Sequence, residues 1–189
     1  MHPNGSQRIV QPNRTVNTDA PWAGLRPRHG PPVTLIVRHP LATVTHIFVA
    51  PTRGAPMNSL ASAQALAGGG LSGDRYADSS NRRSPDYEVT LIELENVEAF
   101  AASTGFALTP EMPRRNIVTR GVNLNSLVGT RFTVGSAVFE GLELCEPCGL
   151  FAKRTHREVL AFFVGKGGLR ARIVTGGDIH VGSQIGRDA

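Results

Sequence analysis

The chain has 189 residues but only two cysteines, Cys145 and Cys148, with two residues between them. One such pair does not form the several cross-links that hold small secreted domains together. It also supplies only half of the four ligands of a structural zinc site, and the six histidines show no paired spacing that would complete one. The sequence therefore argues against a disulfide scaffold and makes zinc a poor candidate.

Long apolar segments are absent as well. No apolar run approaches the roughly 20 residues that cross a bilayer, and the first residues lack the apolar segment of a secretory signal. We therefore expect a cytoplasmic protein without a membrane partner.

Aromatic residues make up 6% of the chain, while 21 glycines and 13 prolines indicate many turns and more strand than helix. The length suits one domain with a substantial core.

Acidic residues are scarce at the beginning of the chain, although the whole protein carries a net charge of +5. Asp19 is the single acid in the first fifty-odd residues, which hold six arginines: Arg8, Arg14, Arg26, Arg28, Arg38 and Arg53. A nucleic-acid-binding arm is one interpretation, and an organelle transit peptide is another. The segment lacks lysine clusters, and its prolines oppose an amphipathic helix. We predict a poorly ordered, basic extension over residues 1–40.

The remaining residues, 41–189, contain the patterns of a folded domain. Apolar, β-branched runs predict strands at 43–49, 88–93, 117–119, 131–134, 137–144, 171–174 and 179–185. Helices are predicted at the alanine-rich 58–67, at 95–102 and at 159–164, the last preceded by a capping box of Thr155 and Glu158. Many short strands without βαβ alternation predict a mainly β (α+β) fold with a β-barrel core and a few peripheral helices.

Cys148 follows Pro147 at the predicted exit of a strand, where a loop can hold a thiol at the mouth of a barrel. A thiolate suits soft metals and sulfur chemistry. Two other interpretations remain. Both cysteines can be small buried apolar residues, or the pair can be a thioredoxin-like dithiol. The dithiol is disfavoured because no helix pattern begins after Cys145 and because Glu146 would raise the pKa of that thiol.

Two basic clusters flank the cysteines in the chain. The first is Arg114-Arg115-Asn116, and the second runs from Lys166 through two glycines to Arg170. Guanidinium groups bind phosphate, and a glycine loop can present backbone N–H groups to an anion. The second cluster lacks the spacing of a P-loop. If the two arginines lie in a strand, they point to opposite faces, so only one shares a pocket with Asn116.

Several motifs occur together in one order along residues 43–186: GLSGDR at 70–75, VTLIE at 89–93, RRNIVTRGVNL at 114–124, LVG at 127–129, FTVG at 132–135, CEPC at 145–148 and GGLRA at 167–171. This series resembles the MOSC domain family (molybdenum cofactor sulfurase C-terminal domain). The resemblance implies a MOSC-like β-barrel over residues 41–189. It also implies the molybdenum cofactor, molybdopterin, as the bound group.

The resemblance further implies roles for particular residues. Cys148 matches the family cysteine that carries sulfur or coordinates molybdenum, and it is the expected catalytic residue. The expected cofactor-binding residues are basic or polar: Arg114, Arg115, Asn116, Lys166 and Arg170. Pyridoxal phosphate is not expected, because the chain has no aminotransferase-like module.

Two reactions follow from this resemblance. The protein is expected to be a sulfur transferase, or a molybdenum-dependent oxidoreductase that reduces N-hydroxylated substrates. Either reaction needs a small-molecule substrate and a protein that donates sulfur or electrons. The alternative is a module without turnover, either a cofactor carrier or a basic nucleic-acid binder.

Overall fold

The computed structural model describes residues 42–78, 80 and 87–187, so the predicted extension over residues 1–40 lies outside them. The described strands are β1 (Thr43–Val49), β2 (Asn58–Leu60), β3 (Ser62–Leu66), β4 (Gly70–Leu71), β5 (Val89–Glu93), β6 (Ile117–Arg120), β7 (Arg131–Val134), β8 (Ala137–Leu144), β9 (Leu169–Thr175), β10 (Gly177–His180) and β11 (Ile185–Arg187). The helices are α1 (Leu94–Thr104), α2 (Gly149–Arg154) and α3 (Val159–Phe162). None of the helices in the described part of the chain has the length and apolar character needed to cross a membrane.

The strands form a large sheet and a small one. The eight-stranded sheet has the order β11-β7-β8-β9-β5-β6-β1-β2, and the three-stranded sheet has the order β10-β3-β4. Only β5 and β6 pair in parallel among the described strands, because α1 carries the chain from one end of the sheet to the other between them. The prediction of a mainly β fold with a few helices is confirmed.

The predicted β-barrel core is not confirmed. Within the described residues, β1, the strand next to β2 at one end of the large sheet, meets the segment before β11 at the other end through one isolated bridge, between Thr43 and Gln184. The backbone N–H of Val44 also donates to the carbonyl of Ser183 at 2.9 Å. These bonds bring β1 close to the segment before β11, but they do not make a continuous ladder between the two strands.

The core has two parts. One lies against the large sheet and consists mainly of aliphatic side chains with Phe132 and Phe139. The other lies between the sheet and the helices and is rich in phenylalanine, with Phe100, Phe151 and Phe163 buried. Burying one such ring stabilises the fold by roughly 2 kcal/mol. The second part fixes α2, and therefore the cysteine loop before it, against the sheet.

The prediction of a helix at 58–67 is wrong. This segment forms β2 and β3, which pair with β1 and with β10 and β4, respectively. The helical preference of alanine is worth only tenths of a kcal/mol per residue, so pairing with neighbouring strands overrides it. In β3 the buried side chain of Ala65 alternates with exposed Gln64, as the pleat of a strand requires.

The predicted capping box is also wrong. The hydroxyl of Thr155 donates to the carbonyl of Phe151 at 2.7 Å and closes α2, a helix that the sequence analysis missed. Glu158 precedes α3 but makes no side-chain cap, and α3 ends at Phe162. The predicted strand at 179–185 is divided, because a turn containing Gly182 (φ 93°) separates β10 from β11. The other predicted strands and the helix ending at Gly105 are confirmed within a few residues.

Candidate functional site

Cys148 lies in the wall of a pocket of about 160 Å³ between β5, α2 and the segment before β6. We call it the inner pocket. Its lining includes five arginines and no carboxylate: Arg75, Tyr76, Thr90, Met112, Pro113, Arg114, Arg115, Asn116, Cys148, Leu150, Phe151, Arg154 and Arg170. Four of the predicted cofactor-binding residues and the predicted catalytic cysteine therefore meet in one place.

The position of Cys148 is set by α2. The residue immediately precedes this helix and is exposed, in an extended conformation. Behind it, the Phe151 ring packs on the Phe163 ring with 5.4 Å between their centroids. Because Phe151 anchors α2 in the phenylalanine-rich core, the Cys148 thiol is held at the surface of the pocket.

Cys145 lies in a different environment. It is 2% exposed, and its backbone N–H donates to the carbonyl of Gly168 at 2.8 Å. Burial raises the pKa of the Cys145 thiol, although Arg115 and Arg170 partly oppose this. A protonated, enclosed thiol is a poor nucleophile and a poor metal ligand. The two cysteines are therefore not equivalent.

The glycines between Lys166 and Arg170 serve packing. A Cβ atom on Gly167 would collide with the carbonyl oxygen of Cys145, and one on Gly168, which has φ 105°, would collide with that of Leu91. Both glycines are buried where β9 begins between β5 and the end of β8. They are needed because backbones approach closely there. The expectation of a glycine loop that presents its N–H groups to an anion stays a prediction.

Arg114 and Arg115 do not lie in a strand, since β6 begins at Ile117. Arg114 has φ 58°, in the left-handed region, and lies in a turn in which its backbone N–H donates to the Glu111 carbonyl at 3.0 Å. Both arginines line the inner pocket. The expectation that only one of them shares a pocket with Asn116 is wrong, because the turn replaces the alternation of a strand.

Arg115 and Arg170 are partly engaged by the protein. Nε of Arg115 donates to the carbonyl of Gly167 at 2.9 Å. Nε of Arg170 lies 3.1 Å from a carboxylate oxygen of Glu143, and its guanidinium covers the ring of Tyr87 at 4.2 Å. These contacts orient the two guanidinium groups and leave other N–H groups of each for a ligand.

Asn116 is wholly engaged. Its Oδ1 accepts from the backbone N–H and the hydroxyl of Thr90, at 3.1 and 3.0 Å. Its Nδ2 donates to the Phe48 carbonyl at 3.2 Å and to Oδ2 of Asp74 at 3.1 Å. Both donor positions of the amide are used, so the geometry gives Asn116 a supporting position and does not favour direct contact with a cofactor.

Asp74 extends this network to the turn that follows β4. Its carboxylate accepts from the backbone N–H groups of Ala50 at 2.9 Å and Tyr76 at 3.0 Å. Asp74 and Asn116 are nearly completely buried, so each hydrogen bond they make replaces one lost to water. We call Asp74, Thr90 and Asn116 the polar network. It holds Arg75 beside the inner pocket.

A second space adjoins the inner pocket, with a volume of about 780 Å³. We call it the outer chamber. It shares six lining residues with the inner pocket and adds four more: Arg53, Gly54, Ser80 and Tyr87. Arg75 lies over the Tyr76 ring at 4.2 Å. Burial, followed by the proximity of Arg154 and Arg75, lowers the pKa of Arg114. The inner pocket and the outer chamber, which we together call the cleft, therefore concentrate positive charge.

The sequence analysis did not identify Arg53, Arg75 and Arg154 as site residues. Arg75 occurs there only within the motif GLSGDR at 70–75, and Arg154 was missed together with α2. A signal existed for Arg154. The residues of α2 that line the inner pocket are Leu150, Phe151 and Arg154, which have the spacing of one helical face.

Lys166 is placed elsewhere. It lines a separate depression with Glu93 and Asn96, and its ammonium group lies over the Phe162 ring at 4.7 Å. It is not among the lining residues of the inner pocket or the outer chamber. The geometry therefore does not favour Lys166 as a cofactor-binding residue.

Within residues 42–78, 80 and 87–187, no group of three or more histidine, cysteine, aspartate or glutamate residues is arranged to hold a bare metal ion. A metal bound at Cys148 would therefore need further ligands from a cofactor or from solvent.

Comparisons with known proteins agree with this architecture. A family model described as MOSC domain matches residues 78–186, more than half of the chain. Among solved structures, the YUAD protein from Bacillus subtilis superposes with a TM-score of 0.65 at 17% identity, over 77% of this chain and 94% of that one.

YiiM from Geobacillus stearothermophilus has a TM-score of 0.64 at 15% identity, over 78% of this chain and 75% of that one. YiiM from Escherichia coli has a TM-score of 0.57 at 15% identity, over 78% and 70%. At these identities the likeness shows a shared fold. A search among curated proteins returned no match.

Proposed function

Because the chain belongs to the MOSC domain family, we propose that the inner pocket binds the molybdenum cofactor, with the Cys148 thiolate as a ligand to molybdenum. The observation that carries the proposal is the meeting of an exposed cysteine with five arginines and no carboxylate in one pocket. Thiolate is a soft ligand, and guanidinium groups recognise phosphate through paired hydrogen bonds.

The residues present fit such a group. The cofactor needs a soft ligand at its metal end and cations at its phosphate end, and the pocket supplies both. Its volume of about 160 Å³ is below the ~300–1,000 Å³ typical of small-molecule sites. The cofactor would therefore extend from Cys148 into the outer chamber, where Arg75, Arg114 and Arg154 continue the lining.

Each residue then has a distinct task. Cys148 holds the metal, while Arg114 and Arg115 neutralise and orient the phosphate. Asn116 and Asp74 keep the surrounding turns in place. When bound, the cofactor supplies a redox-active metal centre for the two-electron reduction of an N-hydroxylated substrate. The electrons would come from a donor protein, which approaches through the open side of the cleft.

The test is metal analysis of the full chain after expression in a host that makes the cofactor. We expect about one molybdenum per chain, together with the fluorescence of oxidised pterin. Cys148→Ser should lose at least roughly nine-tenths of the metal, because oxygen is a harder ligand than sulfur. Cys145→Ala is the matched control and should keep its metal.

Arginine variants test the phosphate end. Arg114→Gln should weaken cofactor retention at least roughly tenfold, because a charge-assisted hydrogen bond is lost. Arg131→Gln is the control, since Arg131 is an exposed residue of β7 that lines neither space.

Full metal content in Cys148→Ser would refute the ligand assignment. Absence of molybdenum from the wild type, with one extra sulfur atom on Cys148 by mass spectrometry, would indicate sulfur transfer instead.

A further inference from the structure

Four arginines of the cleft, Arg53, Arg75, Arg114 and Arg154, form no ion pair with a carboxylate among the residues that the structure describes. Arg170, in contrast, pairs with Glu143. Asp74, whose carboxylate lies near Arg114, already accepts hydrogen bonds from two backbone N–H groups and from Asn116.

This charge exceeds what one phosphate group neutralises. A phosphate monoester carries about −1.5 to −2 at neutral pH, whereas the four guanidinium groups carry four positive charges. Arginines gathered in a cleft repel one another unless an anion lies between them. Binding the single phosphate of the proposed cofactor would leave about half of this charge unneutralised.

The four arginines differ in which of the two spaces they line. Arg114 and Arg75 line both spaces, as does Arg154, whereas Arg53 lines only the outer chamber. Cys148 and Arg115 line only the inner pocket. A methyl group placed on Gly54 would lie 4.0 Å from Nη2 of Arg154, so this guanidinium reaches toward the turn that carries Arg53. Arg53 therefore lies in the part of the cleft that Cys148 does not line, and Arg154 extends from the inner pocket toward it.

We propose that the part of the outer chamber between Arg53 and Arg154 is a second anion subsite, which takes the phosphate of a phosphorylated substrate. The existence of an anion subsite does not depend on the proposed function. The assignment of its phosphate to a substrate rests on the proposed function. Both arginines are exposed, which suits a ligand that enters and leaves in each turnover. Tyr87 orients Arg170 along the same chamber, so less side-chain freedom is lost on binding.

Titration calorimetry on the full-length protein free of cofactor tests the subsite. The probes are inorganic phosphate, adenosine 5′-monophosphate and adenosine, which differ in the phosphate and the attached group. We expect the nucleotide to bind at least roughly tenfold more tightly than adenosine, and the difference to shrink as salt rises. Absence of binding by both phosphate-containing probes at low salt would overturn the subsite.

Charge-removing variants locate the binding. Arg53→Gln and Arg154→Gln should each weaken nucleotide binding at least roughly tenfold, whereas Arg131→Gln should leave it unchanged. Cys148→Ser should still bind the nucleotide even though it loses molybdenum. This combination separates the two proposals: failure of metal binding alone refutes the cofactor site, and failure of nucleotide binding alone refutes the subsite. Equal weakening by Arg131→Gln would show that the attraction is unspecific.

Two sources of the phosphate remain to be separated, a substrate and a nucleotide extension of the cofactor. The cofactor released from the loaded protein should carry one phosphate, and the loaded protein should still bind adenosine 5′-monophosphate. A released cofactor that carries a nucleotide, together with loss of probe binding after loading, would overturn the assignment to a substrate.

Discussion

The two sides of the inner pocket are built on opposite principles. The interior side consists of the polar network and Cys145, and there each buried polar group meets a protein partner. The open side consists of Cys148 and the unpaired arginines of the cleft, where positive charge is concentrated without carboxylates in the lining. One side is complete without a ligand, and the other is not.

This difference separates residues that maintain the fold from residues available for binding. A buried amide whose hydrogen bonds are all made contributes to stability, and its loss leaves its partners unsatisfied. Exposed cations without partners contribute little to stability. Mutations on the two sides should therefore change different measurements.

The largest effect is expected on the interior side, for Asn116→Ala. This change removes four hydrogen bonds and leaves the carboxylate of Asp74 and the Phe48 carbonyl without one partner each. We expect the free energy of unfolding to fall by about 3 kcal/mol, measured by urea unfolding with an unchanged dependence on denaturant. A loss below about 1 kcal/mol would show that water replaces the amide, and the contrast between the two sides would weaken.

The next effect concerns the two thiols, measured in single-cysteine variants. With Cys145→Ala, the remaining Cys148 should react with iodoacetamide at least roughly tenfold faster than Cys145 does in Cys148→Ala. Burial raises the pKa of Cys145, so at a pH below that value its thiol stays protonated, and only the thiolate reacts. Both thiols should react at similar rates in concentrated urea. Faster labelling of Cys145 in the folded protein would reverse the assignment.

The smallest effect is expected for Arg114→Gly on the open side. Arg114 has φ 58°, and this left-handed conformation costs a residue with a Cβ roughly 1–2 kcal/mol, which glycine would not incur. Glycine also increases the conformational entropy of the unfolded chain, and this offsets part of the gain. We therefore expect the free energy of unfolding to rise by up to about 1 kcal/mol while cofactor retention falls. Arg131→Gly, in a strand, is the control and should be destabilised by about 0.5–1 kcal/mol. Loss of stability in Arg114→Gly would mean that this arginine supports the fold.

Local patterns predicted much of the large sheet. Thr43–Val49 and Ala137–Leu144 are strands with the predicted bounds, because their apolar and β-branched residues suit a pleated, partly buried surface. The helix ending at Gly105 was predicted because a glycine in the left-handed conformation terminates it. The alanine-rich 58–67 was assigned wrongly because pairing with distant strands decides its state.

The candidate site, too, was predicted only in part from the sequence. The sequence by itself determined the two cysteines, the two basic clusters and the order of motifs that marks the MOSC family. It could not show that Cys145 is buried while Cys148 is exposed, because the two cysteines are only three positions apart in the chain. Nor could it show that Arg53 and Arg154 share a chamber while Lys166 lies elsewhere. Those facts depend on packing between segments a hundred residues apart, and only the tertiary structure brings those segments together.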